Sequence, residues 1–271
     1  MFFIYLLLGT IASFLSGLLG IGGGLIIVPS LLAIFAHFNI IQPAYILPTV
    51  IATSLAASLV NLIFAVQAHH GRSNIVWSFV WRMLPGIALG GLVLGPLVLH
   101  KLSPAFIKGV FSGFCFFMAA QWFFKRNNPK SRSRERLSYS MALLWGALIG
   151  MLSSMLGIGG AVLVTLVLSF YTLDMRQVVG TGAACALFIA ACGCIGLWLS
   201  AFFQAHAVML GSGYIYWPAL LGLVLPSIPL SRLGAHLAHD LSPRNLQRFY
   251  AIFVLIIAFL MLHAATIKAA S

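Results

Sequence analysis

Four glycines fall within five positions, Gly20-Ile21-Gly22-Gly23-Gly24, in the middle of a long apolar run. An interior glycine costs a helix about 1 kcal/mol relative to alanine, and consecutive glycines break the helix rather than face a partner. A second cluster, Gly157-Ile158-Gly159-Gly160, sits in a matching setting further along. A broken helix leaves unpaired N–H groups at the start of its second piece, backed by the positive end of the helix dipole. Without side chains in the way, an anion can approach that backbone closely. Gly22, Gly23, Gly24, Gly157, Gly159 and Gly160 are therefore the first candidate binding residues. The competing reading is close helix packing, which Gly9, Ser13 and Gly17 fit better through their four-residue spacing.

Polar partners for such a site lie on the long apolar segment that follows each cluster. Ser54, Ser58 and Asn61 share one helical stripe, with Thr53 beside it. The second half offers Thr181 and Gly182 and then mainly Ala, Cys and Phe. Hydroxyls in membrane helices often bond back to their own i−4 carbonyl; the alternative is that they meet substrate. Thr53, Ser54, Asn61 and Thr181 join the candidate binding set on that basis.

Other chemistry is sparse. Glu135, Asp174 and Asp240 are the chain's three acids, and all fall in predicted loops. A cation pump, a carboxylate proton relay or an intramembrane aspartyl protease needs a carboxylate inside the membrane. No nucleophile, base and carboxylate cluster, so no catalytic residue is assigned and no enzyme is expected. The cysteines Cys115, Cys185, Cys192 and Cys194 lie in apolar runs without zinc-ligand spacing, so no metal or cofactor is expected. Arg82 is the strongest candidate for an intramembrane cation, and its ordinary role is to snorkel to the interface. His69-His70-Gly71-Arg72 reads as a polar turn.

The elements that carry these residues must be membrane helices. Of the 271 residues 62% are hydrophobic and 7% charged, against about 25% charged in soluble domains. In lipid every backbone polar group must be paired internally, and long unalternating apolar runs then mean helices. The runs cover approximately 2–20, 24–38, 45–68, 78–99, 105–124, 138–156, 160–173, 177–203, 214–231 and 245–266. Five reach the roughly 20 residues that a span needs. The short 24–38 and 160–173 each follow a glycine cluster directly. The first run lacks a positive leader and is read as part of the fold.

The landmarks recur in order. Gly17-Leu-Leu-Gly20-Ile-Gly22-Gly23-Gly24 is echoed by Ser154-Met-Leu-Gly157-Ile-Gly159-Gly160-Ala161, Ala52-Thr53-Ser54 by Gly180-Thr181-Gly182, and Gly95…Leu102-Ser103-Pro104 by Gly234…Leu241-Ser242-Pro243. Each Ser-Pro pair suits a helix start. We expect a duplicated, all-α polytopic membrane protein: a first transmembrane repeat 1–124, a basic linker 125–137 and a second repeat 138–271, each of four to five helices with one glycine-broken helix. Six of the fifteen basic residues lie between Lys125 and Arg136. The positive-inside rule makes that run cytoplasmic, with attraction to anionic lipid, and it lacks the aromatic interleaving of a nucleic-acid surface.

Orientation depends on the crossing count. Four crossings per half give parallel repeats and put Lys101, Lys108, Arg176, Arg232, Arg244 and Arg248 outside. An odd count gives inverted repeats and leaves only Lys101, Lys108 and Lys268 outside. The charge bias favours inversion, a common transporter design.

The doubled glycine motif with Pro29, the later Thr53-Ser54 and the half-ending Leu102-Ser103-Pro104 resemble the TauE/SafE sulfite-exporter family over nearly the whole chain. The resemblance implies a permease of the bacterial inner membrane that moves sulfite, sulfonates or other small organic acids. Two departures bear on substrate: the second cluster reads Gly-Gly-Ala, and Gly182 stands where the first half has Ser54. The expected partners are a small anion and the lipid bilayer, with a homo-oligomer allowed. The alternatives are an exporter of another metabolite, such as an amino acid, and a non-transporting assembly partner.

Overall fold

The computed structural model describes residues 1–19, 23–124, 138–168, 170–171, 173, 175–203, 213–227, 229–231, 233, 252 and 254–262. Gly20, Ile21, Gly22, the basic linker, all three acids, Arg232, Arg244, Arg248, Lys268 and the Gly234…Pro243 landmark lie outside them. The described elements are helical throughout, as composition requires: α1 (Phe2–Leu19), α2 (Gly24–His37), α3 (Pro43–His70), α4 (Trp77–Ala88), α5 (Gly95–Lys101), α6 (Pro104–Phe124), α7 (Tyr139–Leu156), α8 (Ala161–Leu168), α9 (Met175–Phe203) and α10 (Trp217–Val224). Residues 254–262 are also helical.

Among these, five stretches are long and apolar enough to cross a membrane: Pro43–Gln67, Trp77–Lys101, Pro104–Gln121, Tyr139–Leu156 and Arg176–Phe202. The second joins α4 to α5 through a π-helical segment, Leu89–Leu94. Gly90 and Gly91 there bring the chain against Ala147 of α7 and Cys192 of α9. A wider i→i+5 turn is accommodated at such crossings because the facing backbone approaches closely.

Local signals set the ends. Proline opens α3 and follows the cap residue of α10 within a turn, and Pro104 opens α6 with Ser103 Oγ accepting the Phe106 N–H at 3.3 Å. The polar turn expected at His69–Arg72 ends α3, where the Gly71 N–H returns to the Gln67 carbonyl. Burial and the neighbouring Arg72 cation hold His69 below the ordinary histidine value.

The short helices pack on the long ones: α2 on α3, α8 on α9, and α3 on α9 across the centre. Other pairings cross between the chain's halves, with α1 on α10 and α4 on α7. Gly9 is a point of close contact, since a Cβ there would lie 2.6 Å from the Gly222 carbonyl oxygen. Core side chains divide accordingly. One group centres on Tyr5, Phe35, Ile51 and Leu223, the other on Phe79, Met83, Leu168 and Ile189. Outside these groups, exposed Phe3, Leu7, Leu97, Phe117, Leu144 and Phe202 face outward, as lipid contact requires.

Candidate functional site

The second glycine cluster forms a sharp turn between α7 and α8. Gly157 ends α7 at φ 70° and Gly160 precedes α8 at φ 75°. Both values lie in the left-handed region that glycine occupies without strain. The Ser153 carbonyl accepts the N–H groups of both Gly157 and Ile158, the latter at 3.1 Å. Helix α8 resumes with the Val164 N–H donating to the Gly160 carbonyl at 3.1 Å. The N–H groups ahead of that bond stand outside the helical ladder, at the positive end of α8.

Side chains gather around this turn. A Cβ on Gly159 would lie 3.7 Å from Ser58 Cβ, and one on Gly160 would lie 2.8 Å from Ser153 Oγ. Ser58 and Ser153 are fully buried, and the hydroxyl oxygen of each has no hydrogen-bond partner. Asn61 Oδ1, three residues further along the Ser58 face of α3, is also buried without a partner. Thr49 Oγ1, one turn ahead of Thr53, is a further such oxygen. A buried unpartnered hydroxyl or amide costs about 1–3 kcal/mol. Two of them, Ser58 and Ser153, lie beside this one turn.

The other predicted residues take different positions. Ser54 Oγ donates to the Gly157 carbonyl at 2.9 Å, tying α3 to the turn rather than to its own i−4 carbonyl. Gly24, at the start of α2, lies against the same carbonyl; a Cβ there would fall 2.5 Å from the Gly157 oxygen. The two glycine breaks therefore touch. Gly23 is buried among Ile27 and Ala12, and Gly22 lies outside the described residues. Thr53 Oγ1 accepts the Tyr216 N–H at 3.0 Å, and Thr181 Oγ1 accepts the Val76 N–H at 3.0 Å. Each threonine thus caps the residue before a helix of the opposite half, α10 or α4. The two cap residues have nearly the same conformation, φ −94° and ψ 86° for Val76, φ −91° and ψ 96° for Tyr216. The structure brings Gly24, Ser54, Gly157, Gly159 and Gly160 together, leaves Asn61 three residues beyond Ser58 on α3, and gives Thr53 and Thr181 a hydrogen bond to backbone elsewhere.

Three residues escaped the sequence reading. Ser58 was on the polar stripe but outside the chosen set, and Ser153 was not singled out at all. The signal for Ser153 is the Ser153-Ser154 doublet in the last turn of α7: Ser154 Oγ is absorbed by the Met151 carbonyl at 3.1 Å, and Ser153 Oγ is not. The third is Lys108, which enters the sequence reading only in the count of charges on the outer side and is 8% exposed on α6. Arg82, chosen from sequence as the intramembrane cation, is exposed, which agrees with snorkelling. Among the described residues no three His, Cys, Asp or Glu side chains converge as a metal site would require.

Comparison with known proteins places these features in a family. The family model for the sulfite exporter TauE/SafE matches residues 5–261. A "Probable membrane transporter protein" of Haemophilus influenzae is 31% identical, over 93% of this chain and 95% of its own length. Proteins described in the same words from Methanocaldococcus jannaschii and Bacillus subtilis are 26% and 24% identical, over 89% and 93% of this chain and 88% and 96% of their own. No solved structure matches the chain. The match agrees with the expected multi-pass location in the bacterial inner membrane, and its members are transporters rather than enzymes. The chain belongs to the TauE/SafE sulfite-exporter family and is a multi-pass membrane transporter.

Proposed function

We propose that the protein is a permease for small anions such as sulfite, organosulfonates or related small organic acids, and that the anion binds at the turn between α7 and α8. The observation that carries this reading is the pair of unpartnered buried oxygens, Ser58 Oγ and Ser153 Oγ, beside the glycine turn that precedes α8, with a third, Asn61 Oδ1, three residues along α3 from Ser58. Hydroxyls and the Asn61 amide can donate to an anion, and the backbone N–H groups and dipole of α8 favour negative charge. The candidate set is then Gly157, Gly159, Gly160 and Asn61 with Ser58 and Ser153. Ser54 and Gly24 brace the turn, and Thr53 and Thr181 pin the halves together.

The chain is read as two inverted repeats, 1–124 and 138–271, joined by the linker. The reciprocal bonds of Thr53 and Thr181, and the crossed pairing of α1 with α10 and α4 with α7, support a pseudo-twofold relation. Movement of one repeat against the other then exposes the turn to alternate sides.

Flux in proteoliposomes over a panel of small anions tests the reading, and Gly159→Ala is the informative variant. The new methyl meets only the tip of Leu62 at 3.3 Å and the Ser58 Cβ at 3.7 Å, so the fold tolerates it. It nevertheless projects towards the Ser58 side chain. Flux should fall by about tenfold, equivalent to ~1.4 kcal/mol, with the melting temperature near wild type. Normal flux in that variant, or no movement of any panel anion by the wild type, defeats the proposal.

A further inference from the structure

We propose that the turn between α7 and α8 also holds a monovalent metal cation of the Na⁺ type, at its α7 end, and that this ion travels with the anion. The cation site stands on its own oxygens; its role as co-ion rests on the anion reading above. The turn has two ends of opposite polarity. Helix α8 starts there with unpaired N–H groups, whereas α7 stops there with its last carbonyls at the negative end of its dipole. The Ser153 carbonyl takes the returning N–H groups of both Gly157 and Ile158. The helical ladder ends at that point, so the carbonyls of Ser154, Met155 and Leu156 lie beyond it. Ser153 Oγ, on the same turn of α7, is buried without a partner, 2.8 Å from where a Cβ on Gly160 would fall. Ser58, whose oxygen is equally unpartnered, stands beside the adjacent Gly159. A hydroxyl has two lone pairs besides its hydrogen, so either serine can face a cation while donating to an anion. Asn61 Oδ1, three residues along α3, differs in kind: it is a carbonyl oxygen, which accepts and never donates. An anion leaves that atom unsatisfied, and a cation satisfies it.

The donor set names the class of ion. Transition metals take imidazole or thiolate, and no three His, Cys, Asp or Glu side chains converge among the described residues. Calcium and magnesium sites draw on carboxylates, and none of these oxygens belongs to one. Neutral hydroxyl, amide and carbonyl oxygens suit an alkali ion, and transporters coordinate such ions at unwound backbone and half-helix C-termini. A cation at the α7 end and an anion at the α8 end each lower the cost of burying the other. The rival is that these oxygens hold only ordered water.

Melting of the purified full-length protein in sodium chloride and in N-methyl-D-glucamine chloride, at equal ionic strength, tests the ion without a transport assay. Na⁺ should give wild type a saturable rise in melting temperature. Ser153→Ala should fold normally, since it removes an unpartnered hydroxyl rather than a bond, and should lose that rise. Asn61→Asp keeps an oxygen and adds negative charge, so its half-saturating Na⁺ concentration should fall by about tenfold or more. In proteoliposomes given sulfite as its N-methyl-D-glucamine salt, Na⁺ should lower half-saturating sulfite by about tenfold, and sulfite should lower half-saturating Na⁺ by the same factor. A wild-type melting temperature indifferent to Na⁺ overturns the proposal. So does a rise that survives in Ser153→Ala, or a Na⁺ half-saturation unmoved in Asn61→Asp, because the ion then binds elsewhere. Equal sulfite half-saturation in the two salts overturns the co-ion role. If wild type moves sulfite and Gly159→Ala blocks it while Na⁺ changes nothing, this inference falls alone. If Na⁺ binds as described and no small anion moves, the cation site stands, and the anion reading falls together with the co-ion role.

Discussion

The two glycine breaks begin from nearly the same sequence and end in different chemistry. The first opens α2 within hydrocarbon: Gly23 faces Ile27 and Ala12, and Gly24 presses on the Gly157 carbonyl. The second holds two left-handed glycines and has Ser58 and Ser153 beside it. Part of the difference can be traced to the long helices. Five and eight residues after Thr53 come Ser58 and Asn61, whereas five and eight residues after Thr181 come Ala186 and Ile189, both fully buried. Among the described residues, the shared backbone device has a polar lining on one side only. In our reading the first break is a bearing surface and the second is the site.

The largest effects should appear where the breaks meet. Gly24→Ala drives a methyl to 2.5 Å from a backbone oxygen that already accepts the Ser54 hydroxyl, with no flexible side chain to yield. Gly157→Ala forces a left-handed conformation, costing about 1–2 kcal/mol, and adds a clash with Val28. Both variants should lose most folded yield and nearly all flux. Gly23→Ala, which meets only the tip of Ile27 at 3.0 Å, should keep both near wild type. Equal damage at Gly23 and Gly157, measured by detergent melting and proteoliposome flux, would erase the distinction between bearing and site.

Next come the threonine pins, which test how far the two halves are alike. Thr53→Val and Thr181→Val keep shape but leave the Tyr216 or Val76 N–H without its acceptor. Each should cost about 1–3 kcal/mol in stability, and the two costs should nearly match, because the capped residues share one conformation. Half-saturating anion concentration should not move in either. A large change for Thr53 alone would return it to the binding set and make the halves unequal here as well.

These same residues show where sequence reading stops. The helices were legible because lipid admits only internally paired backbone, so apolar runs and their Gly and Pro interruptions mark the elements directly. The short helices after each glycine cluster and the start of α6 at Ser103-Pro104 followed from local chemistry. Thr53 and Thr181 were found, but their partners lie 163 and 105 residues away, beyond any spacing rule. Ser153 acquires meaning only from what other elements place beside it. On its own, it looks like an ordinary residue near a helix end.

The smallest effect is the most discriminating, because it predicts opposite signs for stability and function. Ser58→Ala removes a buried hydroxyl that has no partner, so the protein should gain stability, by about 1 kcal/mol. If that hydroxyl waits for an anion, flux should fall at the same time. The reverse change at the matching place, Ala186→Ser, buries a new hydroxyl near the centre of α9 and should lower stability by about 1–3 kcal/mol. It should leave half-saturation unchanged, since nothing polar accompanies it. Natural proteins retain a destabilising group where activity requires it. A Ser58→Ala protein both less stable and fully active would mean that the hydroxyl serves packing, and the polar side of the comparison would then rest on Asn61 and Ser153 alone.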